Sequence, residues 1–155
     1  FSLVQKEIPV LIISIKKNKK NHVKELHNSI TEMKDIEGIK MILYVEHTVD
    51  ANDLTVALWR FCNNLDPRRD HFLIRQPSYK DPATYFACMG FDGTNKTKEF
   101  DDFYRDWPNI IIADDATIAS VDERWNSIGL GSFIPSPSLK FKDQMYGEEA
   151  VADSI

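Results

Sequence analysis

The chain has 155 residues, of which 43% are hydrophobic and 28% are charged, values that are typical of a globular domain. Its 19 basic and 24 acidic residues give a formal net charge of -5, which argues against nucleic acid or an anionic membrane as the partner. Length and composition also exclude a disordered chain, a collagen-like rod and a disulfide-rich miniprotein.

The cysteines and the absence of a targeting pattern predict a cytoplasmic protein. Cys62 and Cys88 are too few for a disulfide framework or a cysteine-rich zinc site, which suits a reducing compartment. There is no basic segment followed by an apolar one, and no apolar run approaches the about 20 residues of a membrane span. Because the chain begins with Phe1 and not with Met, we expect it to be part of a longer protein.

Four short apolar runs predict the strands of a sheet. They cover residues 8–15, 39–45, 72–74 and 110–113. The runs are rich in β-branched residues and are nearly continuously apolar, as strands buried on both faces require. This pattern predicts a mainly parallel sheet that is covered by helices.

Apolar residues three and four positions apart predict three helices between these runs. The stripes are Val23, Leu26, Ile30 and Met33; Leu54, Leu58, Phe61 and Leu65; and Ile118, Val121, Trp125 and Ile128. Asp50 is placed to cap the second helix, and Asp114 or Asp115 the third. Gly38 and Gly129 are expected to end the first and third helices. The alternation of strands and helices predicts a three-layer α/β/α sandwich with right-handed crossovers.

Two segments do not follow this alternation. Residues 76–98 contain Pro77, Pro82, Gly90 and Gly93 and show no sustained period, which predicts a long, functional loop. From Ser132 onward the sequence is polar and proline-containing. We therefore predict an α/β domain over residues 1–131 and an extended or short-helical tail over residues 132–155.

The residues give little support to complete catalytic chemistry within the chain. Residues 16–20 (KKNKK) follow the first predicted strand, where a nucleotide site would need glycines. They predict either a solvated basic loop, which we favour, or a small-anion site. Cys62 and Cys88 are expected to pack in the interior, and no G-x-S-x-G motif is present.

Metal binding also has little support. His22 and His27 are five residues apart, which does not place them on one helix face. A second set of candidate ligands consists of Glu46, His47, Asp50 and Asp53, but a helix start and a strand-end loop account for these residues. Arg60, Arg68 and Arg69 are interpreted as inter-subunit ion-pair residues or, preferably, as charges favoured near a helix C-terminus. We assign no catalytic, cofactor-binding or metal-ligating residue.

Several patches, in this order, resemble the C-terminal domain of the UbiD family of decarboxylases. They are EHTVDANDL at 46–54, LWR at 58–60, LDPRRD at 65–70, MGFDGTNK at 89–96 and VDERW at 121–125, followed by GL at 129–130. The resemblance spans about residues 8–130. Gly93 departs from the family's usual alanine, Glu46 and His47 replace a more acidic pair, and the tail after Gly131 has no counterpart.

The resemblance implies a carboxy-lyase that acts on aromatic or α,β-unsaturated acids, with quinone (ubiquinone) biosynthesis as the familiar pathway. It implies prenylated FMN, Mn²⁺ and K⁺ in the full-length enzyme. The cofactor and a Glu-Arg-Glu catalytic group belong to an N-terminal split-barrel part, and none of those motifs maps onto this chain. The C-terminal domain supports oligomer assembly and helps to close the substrate pocket. We therefore expect this chain to be inactive alone, with its own N-terminal domain and further subunits as partners.

Two further hypotheses follow. We predict that residues 76–91 approach the substrate pocket of the full-length enzyme, with Tyr79, Phe86 and Met89 as the apolar contacts. The alternative function is a stand-alone α/β module that binds a small anion through residues 16–20. A split-barrel region encoded upstream would favour the decarboxylase, and a start codon directly before Phe1 would favour the stand-alone module.

Overall fold

Three parallel strands form the centre of the first of two structural units. The computed structural model describes residues 2–5, 8–81, 83–105, 110–145 and 151–152. Contacts divide the chain into residues 1–107 and 108–155, and each unit is described by itself. The domain boundary that the sequence suggests, after residue 131, is a different boundary from this contact-based one. It stays a prediction.

The first unit contains a five-stranded sheet in the order β1-β2-β3-β5-β4. Its strands are β1 (Ser2–Gln5), β2 (Ile8–Ile15), β3 (Met41–Glu46), β4 (His71–Pro77) and β5 (Tyr85–Asp92). Strands β2, β3 and β5 are parallel, whereas β1 and β4 pair antiparallel at the two edges. Helix α1 (His22–Thr31) follows β2, α2 (Leu54–Asn64) follows β3, and the short α3 (Lys98–Asp101) follows β5.

Helices α1 and α2 cover opposite faces of this sheet. His27 of α1 contacts Tyr44 of β3, and the ring of Phe61 in α2 packs against Phe91 of β5. Phe91 is the register partner of Leu43, whose side chain points away from that of its neighbour Tyr44. The predicted three-layer α/β/α sandwich is therefore confirmed, with a parallel centre and antiparallel edges.

Helix α1 follows its predicted stripe only in part. Its buried residues are Val23, His27 and Thr31, each four positions after the last. They join a core cluster that consists of Leu11, Ile15, Val23, Ile42, Tyr44, Phe86 and Cys88, with Leu26 and Ile30 partly buried against it. Met33 lies beyond the helix and is 53% exposed. The chain leaves this region through Gly38, whose φ of 103° suits glycine.

Helix α2 differs from the prediction in its cap and in its buried face. Asp53, not Asp50, caps the helix by accepting a hydrogen bond from the Val56 N–H at 3.1 Å. Asp50 instead accepts from the Asn52 N–H at 2.9 Å in the preceding turn. The buried residues are Val56, Ala57, Arg60, Phe61 and Asn64, whereas the predicted core residues Leu54 and Leu58 are exposed.

The prediction of a long loop over residues 76–98 is wrong, because most of that segment is a β-hairpin. Strand β4 extends to Pro77, and β5 pairs with it from Tyr85 onward. In the first half of β5, Phe86 and Cys88 are buried while Tyr85 and Ala87 are exposed, an alternation that marks a strand with one covered face. Cys88 is buried as predicted, but Cys62 on α2 is exposed, so the prediction that it packs in the interior is wrong.

The second unit carries its own small sheet. Strand β6 (Ile112–Ala113) pairs in parallel with β7 (Val151–Ala152), so the prediction that residues 110–113 join the main sheet is wrong. Helix α4 (Asp115–Arg124) is capped by Asp114, which accepts from the Thr117 N–H at 2.6 Å. Short 3-10 helices follow at Trp125–Ser127 and Pro137–Gln144. In the part of the chain that is described, no helix is long and apolar enough to cross a bilayer.

Candidate functional site

The carboxyl ends of β2, β3 and β5 meet at one edge of the sheet, where α/β proteins commonly place their sites. The segments that follow these strands are polar, and they include the KKNKK loop after β2 and Gly93 to Lys96 after β5. A cavity of about 360 Å³ opens at this edge. Its walls come from the loop after β2, the start of α1, residues 69–72 and residues 100–102.

The first cluster at this edge joins β3 to α2. Glu46, at the end of β3, accepts a hydrogen bond from Arg60 Nε at 2.6 Å and a second, short one from the same guanidinium. Asn64 Nδ2 lies 3.2 Å from Glu46 Oε2 and 2.9 Å from Asn95 Oδ1. Glu46, Arg60 and Asn64 are all buried. The cluster is therefore a buried ion pair between Arg60 of α2 and Glu46 of β3, to which Asn64 adds a hydrogen bond.

The second cluster surrounds Lys96, whose side chain is only 1% exposed. Its Nζ donates to the carbonyl oxygens of Asp92 at 2.6 Å and Thr94 at 3.1 Å. The carboxylates of Asp92 and Asp70 lie 3.1 and 3.6 Å from the same atom. Burial lowers the pKa of Lys96, and the two carboxylates oppose this shift. Lys96 thus ties the segment after β5 to the start of β4.

Three of the four lysines of the KKNKK loop, Lys17, Lys19 and Lys20, lie in ion pairs. Lys17 Nζ donates to Asp101 at 2.6 and 2.8 Å and to the Asn95 carbonyl at 2.8 Å, with little exposure of either side chain. Lys20 pairs with Asp102 at 2.7 Å, and Lys19 pairs with Glu25. The loop therefore contacts α1 and α3, and its positive charge is largely compensated.

The remaining basic residues that the sequence singled out also pair within the chain. Arg69 makes a two-pronged contact with Asp70, with both N···O distances at 2.7 Å, and this contact raises the pKa of Arg69. Arg68 lies 3.5 Å from Asp66 on the surface. Both interpretations of these arginines stay predictions, because ion pairs with sequence neighbours are compatible with either.

No nucleophile paired with a base is formed by the described residues of this edge. Burial raises the pKa of the Cys88 thiol to about 11, so this core cysteine is protonated near neutral pH. Within the described residues, no three histidine, cysteine or acidic side chains lie close enough together to bind a metal ion. Of the suggested metal ligands, Glu46 pairs with Arg60, Asp50 stabilises a turn and Asp53 caps α2.

The structure does not bring the predicted pocket residues together. Tyr79 lies in the β4–β5 turn, is 48% exposed and donates a short hydrogen bond to the Glu32 carbonyl. Phe86 belongs to the core cluster, and Met89 pairs across β5 with Met41 and Leu73. Their contact with a substrate pocket stays a prediction.

Sequence reasoning missed Asn64, Asn95 and Lys96 as members of this edge. The available signal was position, because Asn95 and Lys96 follow an apolar strand directly and Asn64 lies one turn after Arg60 on α2. A hydrophobicity criterion assigns such polar residues to the surface, although paired polar groups can be buried.

The fold is a three-layer α/β domain with buried ion pairs at the carboxyl ends of its parallel strands. Residues 6–93, more than half of the chain, match the family model described as 3-octaprenyl-4-hydroxybenzoate carboxy-lyase C-terminal domain. The chain belongs to this family, which confirms the resemblance to the UbiD C-terminal domain.

Curated proteins from two archaea are similar over the same part. An uncharacterized protein of Aeropyrum pernix is 27% identical over 124 residues, and one of Archaeoglobus fulgidus is 28% identical over 124 residues. Each match covers 76% of this chain and 25% of the relative. The chain therefore spans about a quarter of the length of these relatives.

Solved structures of the vanillic acid decarboxylase of Sedimentibacter hydroxybenzoicus share the fold. The closed form matches with a TM-score of 0.54 and 18% identity, covering 76% of this chain and 25% of that one. An open form matches with a TM-score of 0.52 and 21% identity, covering 76% and 26%. At these identities the likeness establishes the fold.

Proposed function

We propose that this chain is the C-terminal assembly domain of a longer cytoplasmic decarboxylase that acts on aromatic or α,β-unsaturated carboxylic acids. The observation that carries the proposal is the family match over residues 6–93. The match of the chain to only about a quarter of its relatives' length fits a role as one domain among several. Quinone biosynthesis is the pathway that the family's description suggests.

We assign prenylated FMN, Mn²⁺ and K⁺ to other parts of such an enzyme. Bound prenylated flavin would supply the electron sink for loss of carbon dioxide. The charged groups at the carboxyl edge do not fit a cofactor phosphate or a metal, because Lys17, Lys96 and Arg69 already pair with carboxylates. The role of this domain in the proposal is to support assembly and to help exclude water from the pocket.

Tyr79, Phe86 and Met89 remain the proposed apolar contacts of the substrate pocket. Tyr79 is the most accessible of them, because its side chain lies in the β4–β5 turn. In the full-length enzyme, Tyr79→Ala should raise KM with little change in kcat if the ring contacts bound substrate. An unchanged KM would remove Tyr79 from the pocket.

The alternative of a stand-alone anion-binding module has less support. A cavity does lie beside the KKNKK loop, but Lys17, Lys19 and Lys20 each pair with a carboxylate of this chain. An incoming anion would have to compete with those carboxylates.

The test of the proposed function compares two samples. The full-length gene is co-expressed with a flavin prenyltransferase, and the 155-residue chain is purified alone and mixed with the same cofactor. Carbon dioxide release is then measured across a panel of aromatic and unsaturated acids. We expect release from the full-length protein only. Turnover by the 155-residue chain would contradict its assignment as a non-catalytic domain, and inactivity of both samples across the panel would contradict the decarboxylase.

A further inference from the structure

The turn between β4 and β5 is attached to the segment that follows α1. This segment forms a 3-10 turn over Lys34–Ile36, and Glu37 comes directly after it. The Glu37 carboxylate accepts a hydrogen bond from the Ser78 hydroxyl at 2.6 Å and another from the Tyr79 N–H at 2.9 Å. Ser78 and Tyr79 are 41 and 42 positions from Glu37 in sequence, so the two bonds are tertiary contacts.

The Ser78 hydroxyl uses its full hydrogen-bonding capacity in this turn. It donates its hydrogen to Glu37, and its oxygen accepts from the N–H groups of Lys80 and Asp81 at 3.1 and 3.3 Å. A hydroxyl has one donor and two acceptor lone pairs, so the partner at Glu37 has to be an acceptor. The hydrogen bond from Ser78 is the main cause that lowers the pKa of Glu37, which is therefore ionised at neutral pH.

The backbone around Glu37 is itself held in place. The Glu37 N–H donates to the Lys34 carbonyl at 3.2 Å, and the Ile39 N–H donates to the Ile36 carbonyl at 2.9 Å. Ile36 and Ile39 are partly buried against the core cluster of the first unit. The carboxylate therefore connects the turn to a part of the chain that the core fixes.

Tyr79 is held at both of its ends and is still accessible. Glu37 binds its N–H, its hydroxyl donates a short hydrogen bond to the Glu32 carbonyl, and the residue is 48% exposed. A ring that is already fixed loses little conformational freedom when a ligand packs against it. Tyr79 thus presents a preorganised aromatic surface to whatever it contacts.

We propose that Glu37 is a positioning residue for the substrate pocket, which holds the β4–β5 turn so that the Tyr79 ring packs against an aromatic or unsaturated acid. Glu37 does not touch the substrate in this arrangement and acts only through Tyr79. The inference rests on the proposed function, in which Tyr79 is a pocket contact. A purely structural role of Glu37 would change the opening of the turn without linking KM to the Tyr79 ring.

The first measurement is hydrogen exchange of the full-length enzyme, read by mass spectrometry in peptides that cover residues 76–86. Glu37→Gln keeps the side-chain length but has one acceptor oxygen where the carboxylate has two, so one of the two contacts is lost. We expect exchange in the turn to rise about tenfold. Asp35→Asn is the matched control, because it neutralises an exposed carboxylate two residues away and should leave this exchange unchanged. Unchanged exchange in β2 and β3 verifies that both variants are folded.

The second measurement is KM and kcat for the acid of the panel that the full-length enzyme decarboxylates fastest. Glu37→Gln should raise KM about threefold or more while kcat stays within about twofold. In the Tyr79→Ala background, Glu37→Gln should leave KM unchanged, since the ring that Glu37 positions is absent. Ser78→Ala, which removes the hydroxyl contact alone, should show the same dependence on the Tyr79 ring.

The outcomes separate this inference from the proposed function. Unchanged exchange in Glu37→Gln would show that Glu37 does not hold the turn and would overturn the positioning role. An equal rise in KM with and without the Tyr79 ring would also overturn it, because Glu37 would then act by another route. An unchanged KM in Tyr79→Ala would remove the positioning role from an enzyme that stays active. Inactivity of the unsubstituted full-length enzyme across the panel would overturn the proposed function and the positioning role together.

Discussion

Gly90 and Gly93, near the end of β5, have neighbouring side chains so close that a Cβ atom would not fit. Their backbone conformation does not itself require glycine. A Cβ on Gly90 would lie 2.1 Å from Phe72 Cε2 and 2.8 Å from His27 Nδ1. A Cβ on Gly93 would lie 2.4 Å from Phe61 Cδ2 and 3.1 Å from the Phe61 Cα. The backbone of α2 thus approaches Gly93 so closely that α2 would have to shift to admit a side chain.

Gly93→Ala is therefore expected to destabilise the fold, by about 1–3 kcal/mol as overpacked substitutions do. The atoms nearest to a Cβ at this position belong to Phe61, so the cost should depend on Phe61. Phe61→Leu in the Gly93→Ala background should recover part of the loss, which is measured as a free energy of unfolding in urea. Equal unfolding midpoints for Gly93→Ala and the unsubstituted chain would contradict this packing.

His27 should make stability depend on pH. It is fully buried, with Nδ1 3.1 Å from the Tyr44 hydroxyl, Nε2 3.4 Å from the Cys88 carbonyl and the Phe72 ring against it. Burial lowers the pKa of His27, while the unfolded chain keeps a value of about 6.5. The unfolded state therefore binds more protons, and the free energy of unfolding falls as pH drops below about 6.5.

The measurement is a set of urea unfolding curves from pH 8 to pH 5 for the chain and for His27→Gln. The variant should lose the His27 part of the slope, so its stability deficit relative to the unsubstituted chain shrinks toward pH 5. His71→Gln is the control for the loss of a histidine outside the core, because His71 is exposed. Parallel curves for the chain and His27→Gln would exclude His27 as the titrating group.

At the scale of elements, the ion pair between Glu46 and Arg60 fixes α2 to β3. Glu46→Gln would leave the guanidinium of Arg60 buried without its counter-ion, so we expect a loss of about 3 kcal/mol in the free energy of unfolding. Adding Arg60→Met removes the unpaired charge and should restore part of the stability. The measurement is urea unfolding of both variants.

Glu25→Gln is the matched control for this pair. Glu25 and Lys19 form an ion pair whose side chains are more than half exposed, so its loss should cost about 0.5 kcal/mol or less. If Glu46→Gln costs no more than Glu25→Gln, the buried pair does not stabilise the attachment of α2.

Elements whose buried residues are apolar and regularly spaced can be predicted from the sequence. Elements whose buried residues form ion pairs or pack unusually closely are missed. The runs of β2 and β3 are visible because their buried residues are mostly apolar, whereas on α1 the buried His27 and Thr31 lie outside the predicted apolar stripe. On α2, Arg60 and Asn64 face the sheet, so the predicted stripe selected the exposed residues Leu54 and Leu58. Strand β5 was read as a loop because Gly90 and Gly93, which close packing requires, resemble turn residues. The pairings at the carboxyl ends of the parallel strands could not be predicted, because residues distant in sequence, such as Lys17 and Asp101, form them.

For the whole molecule, the two units are expected to differ in independent stability. The first contains the complete five-stranded sheet and the core cluster. Among the described residues of the second, the buried hydrophobic ones are Ile110, Ile112 and Ile118. A chain of that size seldom folds without a metal, disulfides or a partner.

Residues 1–107 expressed alone should therefore unfold cooperatively in urea and give dispersed amide resonances, whereas residues 108–155 alone should do neither. The two fragments serve as controls for each other at equal concentration and pH. A non-cooperative 1–107 fragment would show that the first unit depends on the second.

The position of β5 determines the order in which the main sheet can be completed. It lies between β3 and β4, yet it is the last of the five strands along the chain. During synthesis β3 must keep an unpaired edge until residues near Asp92 have emerged, because its partner Met89 lies far from Met41 in sequence. Long-range parallel pairing of this kind is slow, and open edges attract other strands. The nascent chain should therefore be most prone to aggregation between completion of β3 and arrival of β5, and a ribosome stalled in that interval would hold a product that chaperones bind.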